Sequence, residues 1–253
     1  MEHKEFRRIV PGADIAVLMI HGIAGTPNQF RDLLPLIPEG ISVHNLLLDG
    51  HGKTVVDFSK TSMSKWEQQV DRAVAQLLLS HKQILLVAHS MGTLFALEQA
   101  VKQPGVAGLF LLAAPLKIWL RPRMYANAFQ VYLGKIKPED IIANATKDSY
   151  GIGPDRNLLH YIGWIPRYLE LFAKIRETRE IIPAVNTPCQ VFQSRKDEMV
   201  AAGAERYFKE NPSITVTCLA DSGHFYYGDQ DLALLKKAFR DMLKQLECQK
   251  EDK

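Results

Sequence analysis

The sequence predicts an α/β protein built on a mostly parallel central sheet with helices on both faces. Three observations carry this. Strand-like and helix-like segments alternate along most of the chain. The strand segments are short continuous apolar runs rather than alternating ones, as strands covered on both sides require. The length, 253 residues, fits one such domain with room for an inserted subdomain.

Taken in order, the strand-like runs are residues 15–20, 41–48, 83–88, 108–113, 189–193 and 214–219, with 6–10 as an edge strand before them. Helical patterns fall at 27–34, 65–80, 91–103, 201–209 and 231–246. The first has a readable start: Thr26 can cap it, Pro27 suits the first helical position, and Gln29 would close a capping box. From Leu116 to Val185 no good strand occurs, only helix-like pieces carrying Trp119, Tyr125, Phe129, Tyr132, Tyr161, Trp164 and Phe172. A structureless loop of that length is improbable. The expectation is a small helical cap at 116–185, inserted after the sixth strand, with 1–115 and 186–253 forming the core domain. Residues 249–253 read as a solvated tail.

Composition narrows the function. The chain is 47% hydrophobic and 23% charged, with a formal net charge of +3. That balance proposes neither nucleic acid nor an anionic membrane as a partner. The opening MEHKEFRRIVPG lacks the apolar core of a signal peptide, and no apolar stretch approaches the ~20 residues of a membrane span. A cytoplasmic protein without stable membrane insertion is expected; no feature sets an oligomeric state. Cys189, Cys218 and Cys248 have no metal-ligand spacing, and the first two sit in apolar strand runs as expected buried thiols.

The chemistry centres on Ala88-His89-Ser90-Met91-Gly92, entered from a strand and left by a helix. A serine at such a sharp turn needs small neighbours two residues before and after it, and it projects its hydroxyl beside the amino end of the helix. Alanine at 88 departs from the glycine form, but it is the next smallest side chain. The alternative, that Ser90 merely caps the helix, does not account for the strand–turn–helix context. This arrangement goes with a triad in the chain order serine, acid, histidine. Only His160 and His224 follow Ser90. His160 lies inside the expected cap, whereas His224 sits on a loop between the last strand and the last helix. The acid must orient that histidine from another strand-end loop. The loop after 108–113 offers none, so Asp197 or Glu198 carries the role, with Asp221 a weaker rival. His21 and His51 precede Ser90 and read as loop-holding residues.

Together, His21-Gly22 with Gly25-Thr26-Pro27, Asp49-Gly50-His51-Gly52, Ala88–Gly92, Asp197 and Ser222-Gly223-His224 resemble the carboxylesterase and monoacylglycerol-lipase branch of the α/β-hydrolase superfamily. The motifs span residues 15–225; the cap is matched only in position and size. The resemblance implies the α/β-hydrolase fold and a serine carboxylic ester hydrolase acting on lipophilic acyl esters, without a cofactor or metal. It favours Asp197 over Glu198, since Asp197 and Val200 fit the D-x-x-V arrangement of the acid. It assigns the oxyanion hole to the backbone N–H groups of Ile23 and Met91. An acyltransferase or thioesterase would use the same triad, and a ligand-binding receptor of this fold would leave it idle. A haloalkane dehalogenase would carry an aspartate where this chain has Ser90.

Overall fold

A computed structural model describes residues 3–133 and 136–248; the expected tail at 249–253 and the side chain of Tyr125 fall outside the described residues. Seven strands, β1 (Phe6–Arg8), β2 (Ile15–Ile20), β3 (Ser42–Leu46), β4 (Gln83–His89), β5 (Val106–Leu112), β6 (Cys189–Ser194) and β7 (Ile214–Leu219), form one sheet ordered β1-β3-β2-β4-β5-β6-β7. Only β1 runs antiparallel, on the β3 edge. The helices are α1 (Val55–Ser59), α2 (Met63–Leu78), α3 (Met91–Lys102), α4 (Pro122–Leu133), α5 (Ile141–Ser149), α6 (Ile165–Ile181) and α7 (Asp229–Cys248).

The apolar runs become strands because both faces of the sheet are covered. Side chains alternate across a strand. In β2, Ala16, Leu18 and Ile20 join a core with Trp66, Leu77 and Leu94 from α2 and α3. Ile15, Val17 and Met19 join the opposite core with Phe239 and Leu243 from α7. Each fully buried aliphatic side chain contributes about 1.5–3 kcal/mol. The edge strand β7 is covered less well, so Cys218 is exposed rather than buried, while Cys189 is buried; all three cysteines are free.

Three local expectations change. The segment 27–34 is not one helix but two 3-10 turns, Pro27–Phe30 and Leu34–Leu36. Pro35 cannot extend the hydrogen-bonded helix behind it. Thr26 does cap the first turn, but Gln29 closes no box: its Oε1 instead accepts from Gly22 N–H at 2.9 Å. The segment 201–209 is likewise a 3-10 turn, Ala202–Tyr207, where Gly203 weakens an α-helix. The short α1, entered through a complete Thr54/Asp57 capping box, was not anticipated.

Between β5 and β6 lie α4, α5, a 3-10 run (Leu158–Trp164) and α6. This insertion follows the fifth strand rather than the sixth: with 6–10 counted, the run at 108–113 is the fifth, and β5 occupies that place. Its last helix is anchored deeply. Lys174 of α6 is nearly buried between Glu67 of α2 and Glu98 of α3, and Trp164 Nε1–H donates to Val55 O at 3.2 Å. No helix among the described residues is long and apolar enough to cross a membrane.

Register places the reactive loops. Ile20 pairs with Ala88, so the loop after β2 lies beside the turn after β4. Ser194 pairs with Leu219, so the loops carrying Asp197 and His224 leave the sheet side by side. All four emerge at the carboxyl ends of parallel strands, where open α/β sheets bind ligands.

Candidate active site

Ser90 has φ +50° and ψ −122°, a strained conformation for a side-chain-bearing residue. The turn is over-determined: Ser90 N–H donates to Leu112 O at 2.9 Å, and Ser90 O accepts from Thr93 Oγ1 at 2.7 Å and Thr93 N at 3.0 Å. Neighbours must be small for steric reasons. A Cβ on Gly92 would stand 2.1 Å from Ile20 O, and one on Gly22 would stand 2.9 Å from Ser90 Cβ. Ala88 is accommodated with no exposure at all.

Asp197 and His224 meet directly. Asp197 Oδ2 lies 2.8 Å from His224 Nδ1, and both side chains are almost fully buried. The other oxygen, Oδ1, accepts from Met199 N–H and Val200 N–H, each at 2.7 Å. Burial raises the Asp197 pKa, but the charge and hydrogen bond of His224, with the two amides, outweigh it and hold the carboxyl below its ordinary range. A carboxylate on Nδ1 leaves Nε2 as the lone-pair nitrogen of the neutral ring.

The rivals for the acid have other partners. Glu198 Oε2 accepts His224 backbone N–H at 2.9 Å, so it anchors the histidine loop rather than the imidazole. Its oxygens would stand 3.1 Å from a Cβ on Gly223, a tight approach that a side chain there would have to displace by a few tenths of an ångström. Asp221 pairs with Lys196 at the surface, both well exposed. His160 bonds Asp155 at 2.6 Å, within the insertion.

Ser90 makes no hydrogen bond to His224 among the described residues. His89 joins their loops: its Nε2–H donates to His224 O at 2.9 Å, and the two rings lie 4.9 Å apart edge to face. Burial lowers the His89 pKa to about 3, so the ring is neutral.

The loop after β2 shows an asymmetry in its amides. Gly22 N–H donates to Gln29 Oε1, Ala24 N–H to His51 Nε2 at 3.1 Å, and Gly25 N–H to Gly22 O at 3.0 Å. Ile23 N–H, between them, takes part in none of the hydrogen bonds among the described residues; nor does Met91 N–H, at the start of α3. His21 holds the same loop, accepting Leu48 N–H at Nε2 (3.0 Å) and bonding Gly22 O through Nδ1 (2.8 Å). Sequence reasoning gave His21 and His51 loop-holding roles; it missed His89, Gln29 and the Glu198 anchor. His89 lies inside the serine pentapeptide, which was the available signal.

A cavity of about 550 Å³ opens over these loops. His224, Ile23, Ala24, Glu198 and Phe225 form its floor, and Phe129, Tyr132, Tyr150, Leu158, Tyr161 and Trp164 of the insertion its walls. Tyr168 also faces it, and burial raises its pKa to about 12, so the phenol stays a donor. No group of three or more His, Cys, Asp or Glu among the described residues could hold a metal ion.

This chain belongs to the alpha/beta hydrolase family, whose sequence profile matches residues 17–237. It is 24% identical over 195 residues to a thermostable monoacylglycerol lipase of Bacillus sp. (strain H-257), covering 75% of this chain and 73% of that protein. In fold it is similar to a structure from work on the metagenome-derived lipolytic enzymes LipS and LipT, with a TM-score of 0.73 and 20% identity, covering 96% of this chain and 98% of that one. It also resembles the monoacylglycerol lipase of Paleococcus ferrophilus, with a TM-score of 0.67 and 16% identity, covering 96% and 99%.

Proposed function

We propose that the protein is a serine carboxylic ester hydrolase acting on lipophilic acyl esters, monoacylglycerols among them, with Ser90 as nucleophile, His224 as base and Asp197 as the acid that orients the base. The observation that carries this reading is the buried Asp197–His224 pair, set beside a serine held at positive φ on a strand–helix turn.

In the reaction, Ser90 Oγ attacks the ester carbonyl carbon while His224 Nε2 takes its proton. Asp197 keeps Nδ1–H in place and stabilises the imidazolium. The oxygen that gains charge is met by the N–H groups of Ile23 and Met91, the two amides left uncommitted. His224 then returns the proton to the departing alcohol, and water repeats the cycle on the acyl-enzyme. A preformed donor of this kind stabilises the transition state by about 2.7–4 kcal/mol.

Residues 116–185 act as a cap over the core formed by 1–115 and 186–253. Its aromatic and aliphatic side chains line the cavity and favour an acyl chain. The named relatives, lipolytic and monoacylglycerol-hydrolysing, support the same substrate class. The test is hydrolysis of a chain-length series of p-nitrophenyl acyl esters and monoacylglycerols by the wild type and Ser90→Ala. Turnover with a preferred chain length, lost in Ser90→Ala, is expected. A clean preparation that turns over no ester of any length would overturn the reading, and turnover only with an added alcohol acceptor would make it an acyltransferase.

A further inference from the structure

We infer that His51 is a positioning residue for the oxyanion hole: its neutral imidazole holds Ala24 so that the preceding Ile23 N–H faces the oxygen that gains charge. The inference rests on the hydrolase reading above and adds a residue from a different loop to its machinery.

The tautomer follows from geometry. A backbone N–H only donates, so the His51 Nε2 that meets Ala24 N–H at 3.1 Å carries a lone pair. The proton is therefore on Nδ1, which lies 3.2 Å from both Leu48 O and Asp49 O and donates to them. Any proton added at Nε2 would abolish the acceptor. Burial opposes that, since the ring is 1% exposed, and it is packed against His21, Phe58 and Trp66 with centroids 4.7–5.1 Å away.

The bond has something to hold. Ala24 sits at φ +53°, in the left-handed region that alanine disfavours. Its oxygen is fixed by Gly151 N–H at 2.9 Å, and its nitrogen only by His51. Gly22 and Gly25 are tied on either side, so the orientation of the Ile23 peptide depends on whether Ala24 stays in its strained well. Space-filling alone does not explain a histidine here. An aliphatic or phenyl side chain would fill the site without burying two ring nitrogens that each need a partner. The polar ring is accounted for by the amide it accepts.

The experiment compares wild type with His51→Leu and His51→Met, which fill the site without a strong acceptor, and with His51→Gln, whose amide oxygen restores one. The readouts are kcat and KM for the best p-nitrophenyl ester and the affinity for a trifluoromethyl ketone that mimics the oxyanion. The expected result is a kcat ~10- to 100-fold lower in the acceptor-free variants, because a loosened donor loses part of what a deleted one loses. KM should stay within about three-fold, ketone affinity should fall with kcat, and His51→Gln should recover most of both. A kcat within two-fold of wild type, a loss confined to KM, or no recovery in His51→Gln overturns the inference. If neither acceptor-free variant folds, hydrogen exchange at Ala24 N–H in the wild type decides: protection near that of the central strands supports the bond, and exchange at the rate of an open loop overturns it. A wild type inactive on every ester counts against the hydrolase reading, whereas an active wild type indifferent to His51→Leu counts against His51 alone.

Discussion

The loops at the carboxyl edge of the sheet and the insertion that covers them are built by opposite means. The loops are fixed by directional bonds. Of the four amides from Gly22 to Gly25, three have a named acceptor, and two buried histidines, His21 and His51, each accept a backbone N–H. The insertion is bonded to the core at a few points, Lys174 to Glu67 and Glu98 among them, and otherwise presents apolar side chains. Of the sixteen large hydrophobic residues exposed among the described residues, eleven lie in it, from Trp119 to Phe172. The two regions are stitched together by backbone: Ala24 O takes Gly151 N–H, while Trp119 N–H and Arg121 N–H donate to Met199 O and Glu198 O. A region made of directional bonds can hold reacting groups to fractions of an ångström. Apolar side chains lining a cavity can be exchanged, changing the pocket while leaving that geometry alone. On the proposed function, reaction and substrate fall to different parts of the chain.

The difference predicts where perturbations will fall. The largest effect belongs to the bonded loops. Asp197→Asn should lower kcat by about 10⁴-fold with the fold intact, because the wrong tautomer of His224 then faces Ser90. Glu198→Gln, which keeps an acceptor for His224 N–H, should cost less than about ten-fold. Steady-state kinetics on both variants checks this, and equal losses would erase the distinction between the two carboxylates.

The next effect is acid stability. Burial holds the pKa of His51 at about 4 and that of His89 at about 3, both below the ordinary 6.5. The folded chain therefore refuses protons that the unfolded chain binds. The stability these residues contribute is whole above about pH 6.5 and falls as pH drops towards 4 and then 3, by up to ~3 kcal/mol for His51. Chemical denaturation at steps of pH should show that fall, and His51→Gln should flatten part of it. An unchanged slope in His51→Gln would mean that the ring is not buried as a neutral acceptor.

The smallest effect belongs to the insertion. Leu158→Ala and Phe129→Ala alter side chains that line the cavity while remaining 69% and 62% exposed. Their KM for long-chain esters should rise by about two- to ten-fold, with kcat little changed, and the preferred chain length should shift. A large loss of kcat on short and long esters alike would show that the insertion also shapes the reactive geometry.

The same division explains what was legible in the sequence. Strand β2 matches its apolar run residue for residue because burial on both faces leaves no other use for it. Strand β7 matches its expected bounds although only its end residues, Ile214 and Leu219, are buried. The loops were readable where chain order and residue type leave few choices: His224 and the 197–198 pair. They were unreadable where a side chain crosses between segments distant in sequence. Gln29 could equally have closed a local capping box, and only the packed structure turns it towards Gly22. Glu198 looked like a rival acid because its bond to His224 N–H is visible only in three dimensions. In the insertion the aromatic residues were legible as apolar, but not which would be covered: Trp164 is buried, whereas Trp119 is 63% exposed. Composition specifies that such a segment collapses against the core, and leaves open which ring meets the cavity.

The most direct test of the account is the covalent intermediate it requires. Treating the folded wild type with a fluorophosphonate and sequencing the modified peptide by mass spectrometry should find a single adduct, on Ser90, formed in step with loss of ester hydrolysis and absent in Ser90→Ala. Ester hydrolysis that persists in a preparation with Ser90 unmodified, or an adduct that forms on another residue as activity disappears, would contradict it.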